Sequence, residues 1–600
     1  GDEGILSDLL RLATDLKGRP NESLVALLQR RNIAGAPKDF FDLAQALLNP
    51  KSIQAAIVKL AASEADALND LVENSGHQAS DIGTAGLIEL GLVYTDTKGA
   101  HPYEVTAEIA RPILAGKDFI QTKTAAISII PEIDPSAEPD RSTLGLAAIA
   151  AFETQQAITE LVLDVEQHLV RQVGKSGFGV ADVKRLAAHL RRTNTQVRGY
   201  FVLAHQLRMV ELIGDRWWLT NRAEAFLAAS MIERWSMLAN QWIASLGSVG
   251  ARQLRQLLTI PTNDIAGALR AVFPLADENL GDEIEVLLEQ AQGIGFSVAG
   301  APTALLTLCL EGKGDIARDL LQPHLPQLQH SLIVQADLSL IAPGPLDTPT
   351  ETILRKFAQI EQVSVASTYR LSALSVSNGL ECGLSAEQIR TVLTDLSAKA
   401  LPQPVEYLLN EAAGRFGRLR IAEGKTGAER SILSSTDGIL LTEILNDSRL
   451  RPFAFYALSA GTLATRFEPE VVYFGLRDYG YVPVRIDAQG MVMSPEKKGS
   501  WGIQSEGAEA DPLLALIGAI RSADERVGAQ PDDQDLTRQI QLAIKNKTAL
   551  SVALTDRSGN EVEFRILPTA LVNGRLRGLD KKADIERTLP LERILRVAIG

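Results

Sequence analysis

Between Lys184 and Arg208 the sequence places six basic residues, Lys184, Arg185, Arg191, Arg192, Arg198 and Arg208, and no acidic one. Cationic side chains gathered without intervening carboxylates can neutralise phosphates, which is the chemistry of holding a polyanion. In the segment 195–210 the apolar residues Val197, Tyr200, Phe201, Ala204, Leu207 and Val210 recur at helical spacing. Thr195, Gln196 and Arg198 then fall on the opposite, exposed face of that helix. At the start of a helix such side chains can read base edges, Arg198 suiting a guanine, and Gly199 would let the backbone approach. Arg216-Trp217-Trp218-Leu219, after the turn Gly214-Asp215, carries one more cation on what reads as a hairpin. The alternative is a solvated basic face.

A second group lies near the end of the chain. From Leu536 onward twelve basic residues stand against seven acidic ones, so this stretch is locally basic. Arg565, Arg575, Arg577 and Arg593 are candidates for an anionic ligand, with solvated arginines as the equal alternative. Residues that could do covalent chemistry are not arrayed for it. The chain has no G-x-x-x-x-G-K-[ST], DEAD- or DEAH-like box, H-E-x-x-H, C-x-x-C or G-x-S-x-G. The seven histidines (His77, His101, His168, His189, His205, His324 and His330) are scattered, and acidic pairs such as Asp532-Asp533 have no histidine nearby. Neither a catalytic residue, a metal ligand nor a cofactor is expected, and the chain reads as non-enzymatic.

Six hundred residues exceed one core and call for several domains, while 46% hydrophobic and 22% charged residues are ordinary for a globular protein. A net charge of −14 argues against indiscriminate polyanion binding, so any nucleic-acid site must be local. Cys309 and Cys382 lie in apolar contexts and read as packed thiols in a reducing compartment. There is neither a long apolar run nor a basic segment at residues 1–10, so the expectation is a cytoplasmic, nucleoid-associated protein without a membrane span.

Taken in order, residues 1–130 read as a helical domain ending in helix, helix and a hairpin turning at Asp96 to Gly99. It is acidic through Asp66, Asp70, Glu73 and Asp81, and so suits a structural or protein-binding role better than DNA. A proline-rich linker at 131–141 leads to a winged-helix order over 145–250: a helix to about Arg171, a break at 174–177, helices at 180–190 and 195–210, then the hairpin. Trp235 and Trp242, seven apart, should pack on that hairpin. Residues 251–330 read as mostly helical, with loops at 260–263 and 311–315. In 331–422, residues 332–340 alternate and then run apolar before Ala-Pro-Gly-Pro, as a half-buried strand does. A helix ending near Ile360, a strand ending at Tyr369 to Ser372 with Ser372 as a cap, and helices at 384–396 and 405–415 come next; Gly417 then leads to a strand at 418–421. An α/β extension occupies 423–500, with a short helix at 474–479, a strand at 481–486 and a loop from 495 to 511. Residues 530–600 read as a helix at 536–546 and strands at 549–554, 562–567, 574–579 and 586–591.

The stretches IVQADLSLIAPG, TYRLSALSVSNGLECGLSAEQIRTVL and PQPVEYLLNEAAGRFGRLRI resemble the N-terminal damage-recognition-like domain of XPB-type DNA helicases, and an actinobacterial helicase-associated family that has this domain without the motor. The end of the chain resembles a WYL domain, a small β-barrel, at Pro568, Leu576, Asp580 and Leu591-Glu592-Arg593-Ile594, but Gly574-Arg575-Leu576 stands where Trp-Tyr-Leu would, without both aromatics. These resemblances imply a multidomain α+β protein, mainly α, with winged-helix domains, an XPB damage-recognition-like module and a C-terminal WYL-like β-barrel. They imply a DNA-binding, helicase-associated role in repair or transcription regulation on duplex DNA. The alternatives are a scaffold docking on an XPB-type helicase or RNA polymerase, and a regulator sensing a ligand through the WYL-like domain.

Overall fold

The computed structural model describes the chain except for residues 1, 32, 34, 75–81, 118–140, 168–177, 259–263, 494–500, 504–511, 529–532 and 600. The expected linker (but for Arg141), the break at 174–177, the loop at 260–263, His77, His168 and Asp532 lie outside the described residues, as does most of 495–511. Two compact units emerge, one from Gly1–Asp134, Ile243–Ile284 and Ser505–Gly600, the other from Pro135–Trp242 and Glu285–Gln504.

In the first unit, helices Asp2–Gly18 to Ala62–Glu73, helix Ile82–Glu89, the hairpin Val93–Asp96/Gly99–Pro102 and helix Glu104–Leu114 close on one core. That core is shared with the end of the chain, since Leu6, Leu27 and Leu68 belong to the same apolar cluster as Ile517, Ile540, Val552 and Leu576. Residues 530–600, set apart by the sequence pattern, therefore do not bury their apolar face alone. Arg521 on helix Pro512–Gly528 donates to Asn21 Oδ1 (2.9 Å) and to the carbonyls of Lys17 (3.2 Å) and Arg19 (2.5 Å). The terminal strands form a five-stranded sheet in the order Ile585–Pro590, Arg575–Asp580, Glu561–Val572, Leu550–Thr555, Ile594–Ile599. The first and last of these do not pair, so the expected barrel is an open sheet. Strand Ile594–Ile599, which only the short turn Leu591–Arg593 separates from Ile585–Pro590, was not legible as a separate strand.

The second unit holds the candidate interface and two α+β cores. The first core spans Leu332 to Ala412. The apolar run 332–340 is not one strand but a tight hairpin, Ile333–Val334 against Ser339–Ile341, because Leu338 takes a left-handed turn at φ 70° and Gln335 N–H bonds to Ser339 O (2.9 Å). Ser372 caps helix Ala373–Glu381 as expected, and Ser385 caps Ala386–Ser397 with Gln388 completing a capping box. The second core begins at Leu419, so the strand expected to close the first module instead sits inside a second sheet. That sheet runs Tyr456–Ser459, Thr462–Thr465, Ser431–Ser434, Leu419–Glu423 and, in parallel, Pro483–Arg485. A buried polar cluster joins the two cores, where Tyr473 O–H donates to Glu381 Oε2 at 2.6 Å and Arg477 reaches Asn378 and Glu381.

Candidate nucleic-acid interface

Helix Val180–Leu190 ends when Arg191 adopts φ 54° and the Arg192 N–H turns back to Ala187 O at 3.0 Å, a left-handed C-terminal closure. Helix Asn194–Gln206 starts on a capping box in which Thr193 Oγ1 accepts from Gln196 N–H and Gln196 Oε1 accepts from Thr193 N–H. The helix stops at Gln206, short of the Val210 that the periodicity suggests, because Arg208 turns left-handed (φ 60°) and Met209 N–H returns to Ala204 O. Strands Val210–Ile213 and Arg216–Thr220 then pair antiparallel, and Trp501–Ile503 adds to the second in parallel.

The structure sorts the predicted cations into two classes. Lys184, Arg191 and Arg198 are exposed, and no carboxylate pairs with them among the described residues. Arg185 and Arg192 are engaged. Arg185 forks onto Asp164 (Nη2 to Oδ2, 2.8 Å) and also meets Asp182 at 3.0 Å, which pushes its guanidinium pKa up through the Asp164 hydrogen bond. Arg192 donates to Glu153 at 3.2 Å. Gln196 spends its carbonyl on the cap, whereas Thr195 is half-buried. Arg208 and Arg216 are half-buried, the latter lying 4.3 Å over the Trp218 ring.

Gly199 does not face outward. It is buried, its carbonyl accepts from Gln290 Nε2 at 2.9 Å, and a Cβ there would meet Gln290 Cγ at 3.3 Å. The glycine therefore serves helix packing rather than approach to a ligand. Trp235 and Trp242 pack edge-on to Phe296 and donate to Ile294 O (2.7 Å) and Leu287 O (2.9 Å). Helix Glu278–Gly293 and the residues just after it thus supply partners for both tryptophans.

The residues that sequence reasoning missed are acidic. Helix Arg141–Gln167 carries Glu153, Glu160 and Asp164, and spacings of seven and eleven fall close to whole turns at about 3.6 residues each, giving one stripe. That stripe faces the helix pair: Glu153 takes Arg192, Asp164 takes Arg185, and Glu160 lies 3.9 Å from His189. Glu160 is also paired to Arg355 of the first α+β core. Burial pushes the Glu160 carboxyl up, but Arg355 and His189 outweigh it and hold the group below the usual range, while the neighbouring Glu160 carboxylate raises His189. The spacing was visible in the sequence, but nothing local says which cations it meets.

Of the C-terminal arginines, Arg575 and Arg577 flank the fully buried Leu576 on one exposed strand face. Arg593 sits in the turn Leu591–Arg593, near the Arg575 end, because Leu591 N–H bonds to Gly574 O at 2.9 Å. Arg565 lies opposite Ser551, beyond the Ile566↔Asp580 pair and so at the other end of the strand pair. The four do not converge. The buried Asp580 binds Arg587 at 2.6 Å.

Gly424-Lys425-Thr426 comes after strand Leu419–Glu423, but Leu419 stands where a phosphate loop has its first glycine, and the segment turns into strand Ser431–Ser434 rather than a helix. It lacks the helix N-terminus that would hold a phosphate. Among the described residues no group of three or more His, Cys, Asp or Glu could hold a metal, and no helix is long and apolar enough to cross a membrane.

Residues 332–459 match the family described as a helicase conserved C-terminal domain. This match covers the first α+β core and part of the second, ending before strand Thr462–Thr465, and its description differs from the N-terminal domain that the sequence resembles. The chain is similar to the DNA 3'-5' helicase XPB of Mycobacterium tuberculosis, 30% identical over 124 residues, which is 20% of this chain and 22% of the relative. It is also similar to the DNA 3'-5' helicase XPB of Kineococcus radiotolerans, 29% identical over 144 residues, 24% of each. The chain thus matches less than a quarter of the length of these relatives.

Proposed function

We propose that this chain is a non-enzymatic, DNA-associated accessory protein that holds duplex DNA on a winged helix, residues 180–220, beside a module related to XPB helicases. The observation that carries the reading is the exposed trio Lys184, Arg191 and Arg198 on a helix–turn–helix followed by a hairpin, the arrangement in which a second helix meets DNA. The match of residues 332–459 to a helicase domain, and partial similarity to two DNA helicases, give that surface a setting in repair or transcription. The test is duplex binding by fluorescence anisotropy at low salt, with the triple variant Lys184→Ala, Arg191→Ala, Arg198→Ala as control. Binding by the parent chain and at least tenfold weaker binding by the variant is expected; equal binding refutes the site. The same preparation is expected to turn over no ATP with or without DNA, because no segment combines a phosphate cradle with a Mg²⁺ ligand. DNA-stimulated hydrolysis that tracks the purified chain would overturn the non-enzymatic part.

A second reading, a scaffold docking on a separate helicase or RNA polymerase, is favoured by the net charge of −14 and by the carboxylates that occupy Arg185 and Arg192. Affinity purification with and without nuclease separates the two, since partners retained after nuclease support the scaffold. Ligand sensing through a WYL-like terminal sheet rests on Arg575, Arg577 and Arg593 alone.

A further inference from the structure

We infer that the helix pair holds DNA by its backbone without reading sequence, because capping and packing of its second helix take up groups that base readout would need, and the acidic stripe of helix Arg141–Gln167 takes up two cations that a larger phosphate footprint would use. The inference rests on the DNA reading above and specifies its ligand as the phosphate backbone of any duplex.

Base readout needs side chains with two free hydrogen-bonding positions aimed outward from the first turn of the second helix. Gln196 has committed its carbonyl to Thr193 N–H, Thr195 is half-buried, and Gly199 faces Gln290, which leaves Asn194 and Arg198 as the exposed side chains among the first five residues of the helix. Phosphate contacts fix position but carry no sequence information. Of the six cations that mark the segment, Arg185 is held by Asp164 and Asp182 and Arg192 by Glu153, and Arg208 is half-buried. Lys184, Arg191 and Arg198 remain. Three phosphates released of counterions give a salt slope of about −2.7 on duplex DNA, and five would give about −4.5.

The stripe thus competes with DNA for the same guanidinium groups. The same helix is tied through Glu160 to Arg355 and lies against His189, so the helix that carries the limiting carboxylates also joins the helix pair to the helicase-related core. Neutralising Asp164 and Glu153 should free Arg192, and Arg185 in part because Asp182 stays, and so strengthen DNA binding.

The experiment measures full-length chain on two short duplexes of unrelated sequence across a salt series. Affinities equal within about threefold, with a log–log slope near −3, are expected. Asp164→Asn with Glu153→Gln should bind more tightly and steepen the slope by about one to two units. Arg192→Ala should leave both affinity and slope unchanged. Tenfold or greater preference for one duplex, an unaltered slope in the folded double variant, or loss of one slope unit in Arg192→Ala would each overturn the inference. Should the double variant not fold, the two-duplex comparison and Arg192→Ala still decide it. Absence of binding to either duplex would refute the underlying DNA reading itself.

Discussion

Glu160 is the residue on which the second unit turns. It is nearly buried, as is Arg355, with 6% and 19% of their side chains exposed, and the pair joins helix Arg141–Gln167 to helix Thr348–Phe357. Breaking a buried pair leaves an uncompensated charge, which typically costs about 3–5 kcal/mol, whereas an exposed pair is worth about 1 kcal/mol or less. Arg355→Ala should therefore destabilise this unit far more than Arg370→Ala, which removes a partner of Glu361 where both side chains are some two-fifths exposed. Urea unfolding compares them, and equal shifts would show that Glu160 finds another partner. His189 adds a pH dependence. Its pKa is raised chiefly by the Glu160 carboxylate beside it, so its contribution is fully present below the ordinary value of about 6.5 and is lost as pH rises through the raised one. The Glu160 carboxyl is held low, so its contribution is present above about 4.3 and is lost on acidification through the lowered value. The melting-temperature advantage of the parent chain over His189→Gln should accordingly shrink as the pH rises above about 6.5. A difference that is flat or grows over that range would contradict the assignment.

At the scale of elements, helix Ala373–Glu381 packs closely on helix Thr348–Phe357. Gly379 on helix Ala373–Glu381 lies against Phe357, where a Cβ would come within 2.7 Å of the Phe357 Cβ. Neither atom is the end of a flexible chain, so Gly379→Ala must push the two helices apart. Overpacking of this kind costs about 1–3 kcal/mol, and the loss should appear as a lower unfolding midpoint; a midpoint unchanged or raised would mean the helices can slide apart freely. Elements of this region were legible where the signal is local. Ser372 announces its helix through a cap, and the apolar spacing of Val197, Tyr200, Phe201 and Ala204 announces helix Asn194–Gln206. The hairpin at 333–341 was not legible, because its turn depends on a left-handed Leu338, a conformation that leucine rarely takes and sequence does not advertise. The candidate interface divides the same way. Its helices and exposed cations follow from spacing, but the pairing of Arg185 with Asp164 and of Arg192 with Glu153 joins residues 21 and 39 apart, which only the fold brings together.

On the scale of the whole molecule, the two ends of the chain make one unit, and the helicase-related region lies in sequence between them. Ile517 and Ile520, each 1% exposed, sit in the apolar cluster of the N-terminal helices, as do Leu536 and Ile540. Burying a leucine or isoleucine is worth about 1.5–3 kcal/mol, so these four side chains together represent a sum comparable to the whole net stability of a domain, about 5–15 kcal/mol. Polar contacts reinforce them: Arg521 satisfies three acceptors on residues 17–21, Lys17 pairs with Asp524 at 2.8 Å, and Arg538 pairs with the buried Asp39. A chain ending at residue 504 should consequently lose the cooperative unfolding of the N-terminal helices and expose 1–114 to limited proteolysis, while 285–485 stays protected. Ile517→Ala with Ile520→Ala in the full chain should lower the same transition without abolishing it, at about 2–5 kcal/mol for each truncation. If residues 1–114 remain protease-resistant and melt cooperatively without residues 505–600, their core is self-sufficient and the shared one is only an adhering surface.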